Sequence, residues 1–318
     1  MNAFWALGVS SNVTNKPMNV KMNSKNYVMY RNNSGKVVLL DSVCPHRGAD
    51  LCAGSIVKDC IECPYHGWLF DETGTLKHVP STTNKNIKAK IASYSDNVTE
   101  DSGFVWFSDN AYDYTLPTKH CPELNDEKHW NKIYGTQILH GNITDWVENS
   151  ADISHINYVH NFGNENNGSI KQLSIYVNED DTVDCYANVQ PKATSILTSI
   201  MQPSENKGSS VHNKFISPNT SCINILLKEP YKFITFTSLL AVDNNTTQMS
   251  WCFLYPNNWL FNLPFVRSKF ESEMYKTVLQ DENIIKNLTA IRPYNLNVPV
   301  DIFQNRVKNI YYKCKYKG

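Results

Sequence analysis

Two short runs, Cys44-Pro-His46-Arg-Gly and Cys63-Pro-Tyr-His66-Gly-Trp, bring two thiolates and two imidazoles together at the spacing Cys-x-His, sixteen residues, Cys-x2-His. That donor set permits a tetrahedral zinc ion, or a [2Fe-2S] cluster with both cysteines on one iron and both histidines on the other. Residue identity alone does not separate them. The flanks favour the cluster, because a proline after each cysteine and a glycine near each histidine suit tight loops whose backbone N–H groups point at bridging sulfides. A second group lies downstream, in Asp145-Trp-Val-Glu-Asn-Ser-Ala-Asp152-Ile-Ser-His155-Ile-Asn-Tyr-Val-His160, with one carboxylate and two imidazoles in its last nine residues. Two histidines and a carboxylate on one face, with coordination positions left open, form the donor set of non-haem Fe(II) oxygen chemistry.

These side chains must be held by particular elements. On a regular helix Asp152 and His155 share a face, but His155 and His160 are five residues apart and diverge by about 140° at roughly 100° per residue. The Asp145 to His160 region is therefore expected to be helical and to end or bulge between Ile156 and Val159, a distortion that tends to mark functional sites. The third ligand is expected from a long helix spanning about Ser268 to Ile291. There Phe270, Met274, Val278, Ile285 and Leu288 recur at steps of three, four and seven, and Asp281 falls in the gap on that apolar stripe. A carboxylate on a core-facing stripe must be paired or bind a cation. Glu273 and Glu282 lie off the stripe and are expected to be solvated. Asn149 is a candidate supporting group behind the iron site, and His140, at a strand end, is as readily structural.

Upstream, the runs Tyr27 to Tyr30 and Val37 to Leu40, broken by Asn32-Asn-Ser-Gly35, form a hairpin signature. Short strands continue to Phe107, and the polar segment Ser108 to Glu123 is expected to link two domains, residues 1–115 and 116–318. His120 and His129 there or just beyond are expected to be solvated. Longer alternating runs follow at Gly135 to His140, Thr182 to Val189, Ser221 to Leu227, Phe233 to Val242 and Thr247 to Tyr255, as strands of an antiparallel sheet with one covered face. The chain of 318 residues has 30 basic and 30 acidic side chains, without a block of like charge, which argues against a nucleic-acid partner. No apolar run approaches the roughly 20 residues that span a bilayer, and no secretory signal is evident. Nine scattered cysteines, an odd count in a large chain, fit a reducing compartment, the cytoplasm. Cys52, Cys60, Cys121, Cys185, Cys222, Cys252 and Cys314 are assigned structural places only.

The two knuckles resemble those of Rieske proteins. Ala49 and Tyr65 stand where respiratory members carry an extra disulfide, and Trp68 replaces a small hydroxyl residue. Both features resemble the oxygenase branch, whose clusters sit near the low end of a range of about −150 to +300 mV. Taken with Glu148-Asn-x2-Asp152-x2-His155-x4-His160 and Gln280-Asp281, the chain is similar over nearly its whole length to Rieske non-haem iron oxygenase alpha subunits, especially the demethylase and pheophorbide a oxygenase-like groups. The resemblance implies an α+β protein: an all-β [2Fe-2S] domain, then a catalytic domain of helix-grip type with an antiparallel sheet and a long C-terminal helix. It implies that Cys44, His46, Cys63 and His66 hold the cluster and that His155, His160 and Asp281 hold a mononuclear Fe(II). Asp152, the obvious third ligand on spacing alone, becomes a bridge from His155 to the cluster histidine of the next subunit in a head-to-tail homotrimer.

The implied activity is that of a terminal oxygenase, which uses O2 to hydroxylate, demethylate or desaturate a small, largely apolar molecule. Its electrons come from NAD(P)H through a separate flavin reductase, with or without a ferredoxin. No GxGxxG or flavin signature occurs, so the reductase is expected to be another chain. The sterol-desaturase and chlorophyll-catabolic groups carry a membrane anchor at one end, which is not expected here and lowers both of those specific assignments, and the basic, aromatic tail from Lys308 is expected to be solvated. Two competing readings remain: a Rieske-type electron carrier with no second metal, which leaves Asp281 on its stripe unexplained, and a zinc module in a binding protein.

Overall fold

A computed structural model describes residues 3–83, 86–108, 115–163, 170–190, 192, 209–227, 231–289 and 296–316. The chain divides into two compact units, one of residues 4–114 with 241–244, the other of residues 1–3, 115–240 and 245–318.

The first unit is built of short antiparallel strands. β3 (Lys25–Arg31) and β4 (Val37–Asp41) form the expected hairpin, with β2 (Met18–Met22) on the far side of β3. Its turn is closed by Asn32, whose side-chain oxygen accepts from Lys36 N and Ser34 Oγ, while Gly35 takes φ +86°. A second sheet runs β5 (Ser55–Val57), β6 (Cys60–Glu62), β7 (Leu69–Phe70), β8 (Leu76–His78). A third pairs β1 (Trp5–Val9) and β9 (Val98–Asp101) on either side of β10 (Phe104–Phe107). Val28, Tyr30, Val38, Leu40, Leu51, Ile61 and Phe70 form one buried cluster that also takes in Cys44 and Cys63. Apolar packing thus reaches the thiols themselves.

The second unit is organised on a seven-stranded sheet in the order β11-β17-β16-β15-β14-β13-β12. The strands are β11 (Trp130–His140), β12 (Lys171–Val177), β13 (Val183–Val189), β14 (Ser209–Ile216), β15 (Thr220–Leu226), β16 (Lys232–Asp243) and β17 (Thr246–Pro256). Two were not expected. β12 is an edge strand whose alternating Leu173, Ile175 and Val177 are not buried, and β14 hides its alternation by burying Ser209 and Asn213. One face of the sheet receives the helices α1 (Ile143–Ala151) and α3 (Pro264–Ile285), the short α2 (Ile156–Val159) lying between them in sequence. Asn213 Nδ2 donates to Ser150 O at 2.7 Å, the Trp251 ring meets Tyr275 at 5.3 Å, and Phe270 packs among Phe233, Phe253, Tyr255 and Phe261.

Three expectations about helices need correction. α3 starts at Pro264, whose missing N–H costs nothing in a first turn, and ends at Ile285, so Leu288 lies beyond it and is 47% exposed. Residues 290 and 291, included in the expected helix, fall outside the described residues. The tail is not solvated: Ile302–Tyr316 forms a further helix, α4, which buries Phe303, Val307, Ile310 and Tyr311. Its lysines obscured that stripe, and one of them, Lys308, is paired at 2.7 Å with Glu148 of α1. Glu282 is not solvated either, since its Oε1 accepts from His140 N at 2.7 Å. Among the described residues no helix is long and apolar enough to cross a membrane.

Candidate functional site

The two knuckles have the same backbone. Cys44 N donates to Ala49 O and Gly48 N to Cys44 O, both at 2.9 Å; Cys63 N donates to Trp68 O and Gly67 N to Cys63 O, at 2.8 and 3.0 Å. In each loop the glycine four residues after the cysteine has positive φ, +73° at Gly48 and +70° at Gly67, where a Cβ is disfavoured. The histidine sits two residues after one cysteine and three after the other, yet the rings meet edge to face at 4.6 Å, and Trp68 stacks on His46 at 4.5 Å. The buried thiols lie within hydrogen-bond reach of one another, and burial, with Cys63 beside it, pushes the Cys44 thiol above its ordinary value. His66 Nδ1 and Trp68 Nε1 are buried without a hydrogen-bond partner among the described residues.

Two adjacent buried thiols, two imidazole rings in contact and a buried imidazole nitrogen without a hydrogen-bond partner among the described residues fit a [2Fe-2S] cluster. Its cationic irons are what would allow two adjacent thiols to ionise.

The second donor set is assembled from two helices and the loop between them. Asn142 caps α1 through its side-chain oxygen, and Ile143, Trp146, Val147 and Ala151 bury one face. The helix stops at Asp152, earlier than expected. Asp152 Oδ1 accepts from Ser154 N at 2.8 Å, Ser154 Oγ at 2.7 Å and His155 N at 3.3 Å, so the carboxylate competes with the helix for its own downstream backbone. The distortion therefore falls at residues 152–155, and Ile156–Val159 is helical.

That break turns His155 toward His160. The two Nε2 atoms are 3.3 Å apart, and Asp281 Oδ1, from α3, lies 3.3 Å from the first and 3.5 Å from the second. Donors each about 2.1 Å from one ion lie about 3.0 Å apart at right angles and about 3.4 Å apart in a tetrahedron. The triad has that spacing. Among the described residues it is the one group of three or more His, Cys, Asp or Glu ligand atoms close enough together to share an ion. Asp281 is 8% exposed and, among the described residues, its Oδ1 has no hydrogen-bond donor. Burial works against a charge on His155, but Asp281 and Asp152 outweigh it and raise its pKa; at His160 burial wins and lowers it. Two imidazole nitrogens facing each other and a buried carboxylate fit a cation held by three protein ligands, with further positions open to small molecules.

The other expected residues are placed as follows. Asp152 is outside the triad; its Oδ2 is 3.8 Å from His155 Nδ1. Asn149 sits half-buried in the last turn of α1, its carbonyl accepting from Asp152 N at 3.1 Å. His140 is exposed and contributes backbone only, to Glu282 and to Trp146 Nε1. His129 is exposed and pairs with Asp126, whereas His120 is half-buried and its pKa is lowered by that burial. Sequence reasoning gave no role to Gln280, although its Oε1 is 3.1 Å from His160 Nδ1, nor to Phe162, which stacks on the His160 ring at 5.0 Å. Adjacency to Asp281 was the one available signal for Gln280.

Comparison with known proteins adds independent observations. Residues 4–95 match the model of the Rieske [2Fe-2S] domain. Cholesterol 7-desaturase nvd 1 of Ciona intestinalis is 33% identical over 140 residues, 43% of this chain but 29% of its own length. Methylxanthine N3-demethylase NdmB of Pseudomonas putida is 28% identical over 242 residues, 72% of this chain and 64% of the relative. The chain thus spans less than a third of the desaturase and under two thirds of the demethylase. The fold matches the crystal structure of dicamba monooxygenase bound to dicamba, with a TM-score of 0.80 at 18% identity, covering 98% of this chain and 96% of that one.

Proposed function

We propose that this chain, a member of the Rieske non-haem iron oxygenase alpha subunits, is a terminal oxygenase that uses O2 and NAD(P)H-derived electrons to hydroxylate, demethylate or desaturate a small, largely apolar organic molecule. In this reading residues 1–115 are the electron-accepting domain and residues 116–318 the catalytic domain. The observation that carries the proposal is the convergence of His155, His160 and Asp281, a second donor set that an electron carrier would not need.

Cys44, His46, Cys63 and His66 would hold the [2Fe-2S] cluster, and His155, His160 and Asp281 the mononuclear iron. When bound, the two groups supply one-electron transfer and oxygen activation respectively. The chain's own residues do the rest. The knuckle loops present His46 and His66 on one side of the cluster site, and the α1–α2 break together with α3 brings three donors to one point while leaving other positions open. Asp152, with one oxygen committed to its own loop, keeps Oδ2 toward His155. It would link His155 to His66 of the partner subunit in a head-to-tail trimer, with a separate flavin reductase, with or without a ferredoxin, as electron source. All nine cysteines are free, in keeping with the cytoplasm.

The test is Asp281→Ala. Iron should fall from about three per chain to about two, with visible absorbance of the cluster retained and substrate-stimulated oxygen uptake abolished. Unchanged mononuclear iron together with unchanged oxygen uptake would overturn the proposal.

A further inference from the structure

Two consecutive residues of α3 address the two ring nitrogens of one histidine. Asp281 Oδ1 stands 3.5 Å from His160 Nε2, and Gln280 Oε1 stands 3.1 Å from His160 Nδ1. Phe162 covers the ring face at 5.0 Å, so the imidazole is held at both nitrogens and over its plane. His155 is treated differently: among the described residues its Nδ1 is buried without a hydrogen-bond partner, and the nearest charged oxygen, Asp152 Oδ2, is 3.8 Å away.

An amide can meet an imidazole nitrogen in two ways. If the Gln280 oxygen faces His160, Nδ1 carries the proton and Nε2 offers its lone pair toward His155 and Asp281. If the NH2 group faces it, Nδ1 is the lone-pair nitrogen and Nε2 carries the proton into the triad, where no cation could then be bound through it. A metal-ligating histidine donates its other N–H to an acceptor, which fixes tautomer and ring orientation and raises ligand basicity. The geometry points to Gln280 as a positioning residue of the iron site: its carbonyl accepts from His160 Nδ1–H and holds the ring in the tautomer that ligates through Nε2. This rests on the reading of His155, His160 and Asp281 as a metal site. It adds that the two histidines are supported unequally: the Nδ1 of His160 faces a neutral amide of its own chain, and the Nδ1 of His155 meets no group at hydrogen-bond distance among the described residues.

The experiment uses the full chain with its cluster intact and Co(II) as a spectroscopic probe of the mononuclear site, its affinity measured by chelator competition. Gln280→Met keeps the length of the side chain and its helix preference but removes the acceptor, and should weaken Co(II) binding by about 10- to 100-fold. Gln280→Glu restores an acceptor and should return affinity to within a few-fold of the parent. Far-UV circular dichroism should match for all three proteins. Equal affinities for the parent and Gln280→Met overturn the inference, as does failure of Gln280→Glu to recover what Gln280→Met loses. A parent protein that takes up no Co(II), or one whose uptake is unaffected by His160→Ala, overturns the metal-site reading itself, so the two failures are distinguishable.

Discussion

The two donor sets are built on opposite plans. The knuckle donors lie between Cys44 and His66 and are held by backbone: each loop makes the same pair of main-chain hydrogen bonds and uses a positive-φ glycine at the same offset. The donors of the proposed iron site are spread from His155 to Asp281 and are held by side chains whose place depends on where one helix stops and where another docks. A backbone-built site tolerates change in distant packing. A site built from helix ends inherits every shift of the elements beneath it.

The largest effect that separates these plans is expected from a glycine in each. A Cβ on Gly163 would fall 2.1 Å from Ile156 O and 2.7 Å from Asn157 Cα, so the turn after His160 has to move. Displacing a reacting group by about 1 Å costs on the order of 100-fold in rate. Gly163→Ala should therefore lower turnover by about that factor and reduce mononuclear iron while leaving the cluster's absorbance unchanged. At Gly67 the nearest atom to a Cβ is Pro80 Cγ, at 3.0 Å, with Glu62 Oε1 and Pro80 Cδ at ordinary contact distance, and Gly67→Ala bears the positive-φ cost of roughly 1–2 kcal/mol. It should retain the cluster and most of the turnover. Should Gly67→Ala prove the more damaging of the two, the contrast is wrong.

The same difference decides what could be read from the amino-acid order. The knuckles were legible because spacing and backbone chemistry are local, and Asp281 because a carboxylate on an apolar stripe is a local anomaly. The position of the α1 break was not legible from helical geometry. It depends on Asp152 choosing its own backbone over solvent, and the distortion lies four residues earlier than helical geometry predicts. β14 escaped notice because its buried positions include Ser209 and Asn213, and Asn213 is partnered by the backbone of α1 at Ser150. α4 reads as a solvated tail in the sequence because Lys308 has the character of a surface residue, and only the fold sets Glu148 against it. In the last two cases a polar side chain is buried by a partner distant in sequence.

A middle-sized effect tests whether the iron-site unit depends on that distant partner. Glu148 is 8% exposed and sits in α1 one turn before Asp152, with Lys308 Nζ at 2.7 Å. Lys308→Met removes the cation from a buried carboxylate, and a buried group that loses a partner costs about 1–3 kcal/mol. The melting temperature of the unit should fall by about 2–4 °C per kcal/mol, and Lys308→Arg should recover most of the loss. The cluster's spectrum should stay as it was. A melting temperature unchanged in Lys308→Met would show that α4 is not needed to hold α1, and would narrow the contrast to the loops alone.

The smallest effect probes the other unit. Arg31 contacts Glu100 Oε1 at 2.7 Å and Oε2 at 2.8 Å and, with Ser10, holds that carboxyl below the usual glutamate range, against a smaller upward push from burial. A carboxyl whose folded pKa is depressed binds its proton less readily in the folded state than in the unfolded one. Its contribution is therefore fully present above the unfolded value of about 4.3 and is lost as pH falls through the lower folded value. The pair is partly exposed, so solvent screens it and the contribution is modest. Glu100→Gln should make unfolding of residues 4–114 less steep in pH below about 4.3, as followed by far-UV circular dichroism. The affinity of the His155, His160 and Asp281 triad for metal at neutral pH should not change. If that affinity moved with Glu100, the two sites could not be independent in the way their construction implies, since no atom of the Arg31, Glu100 and Ser10 network belongs to the unit that carries the triad.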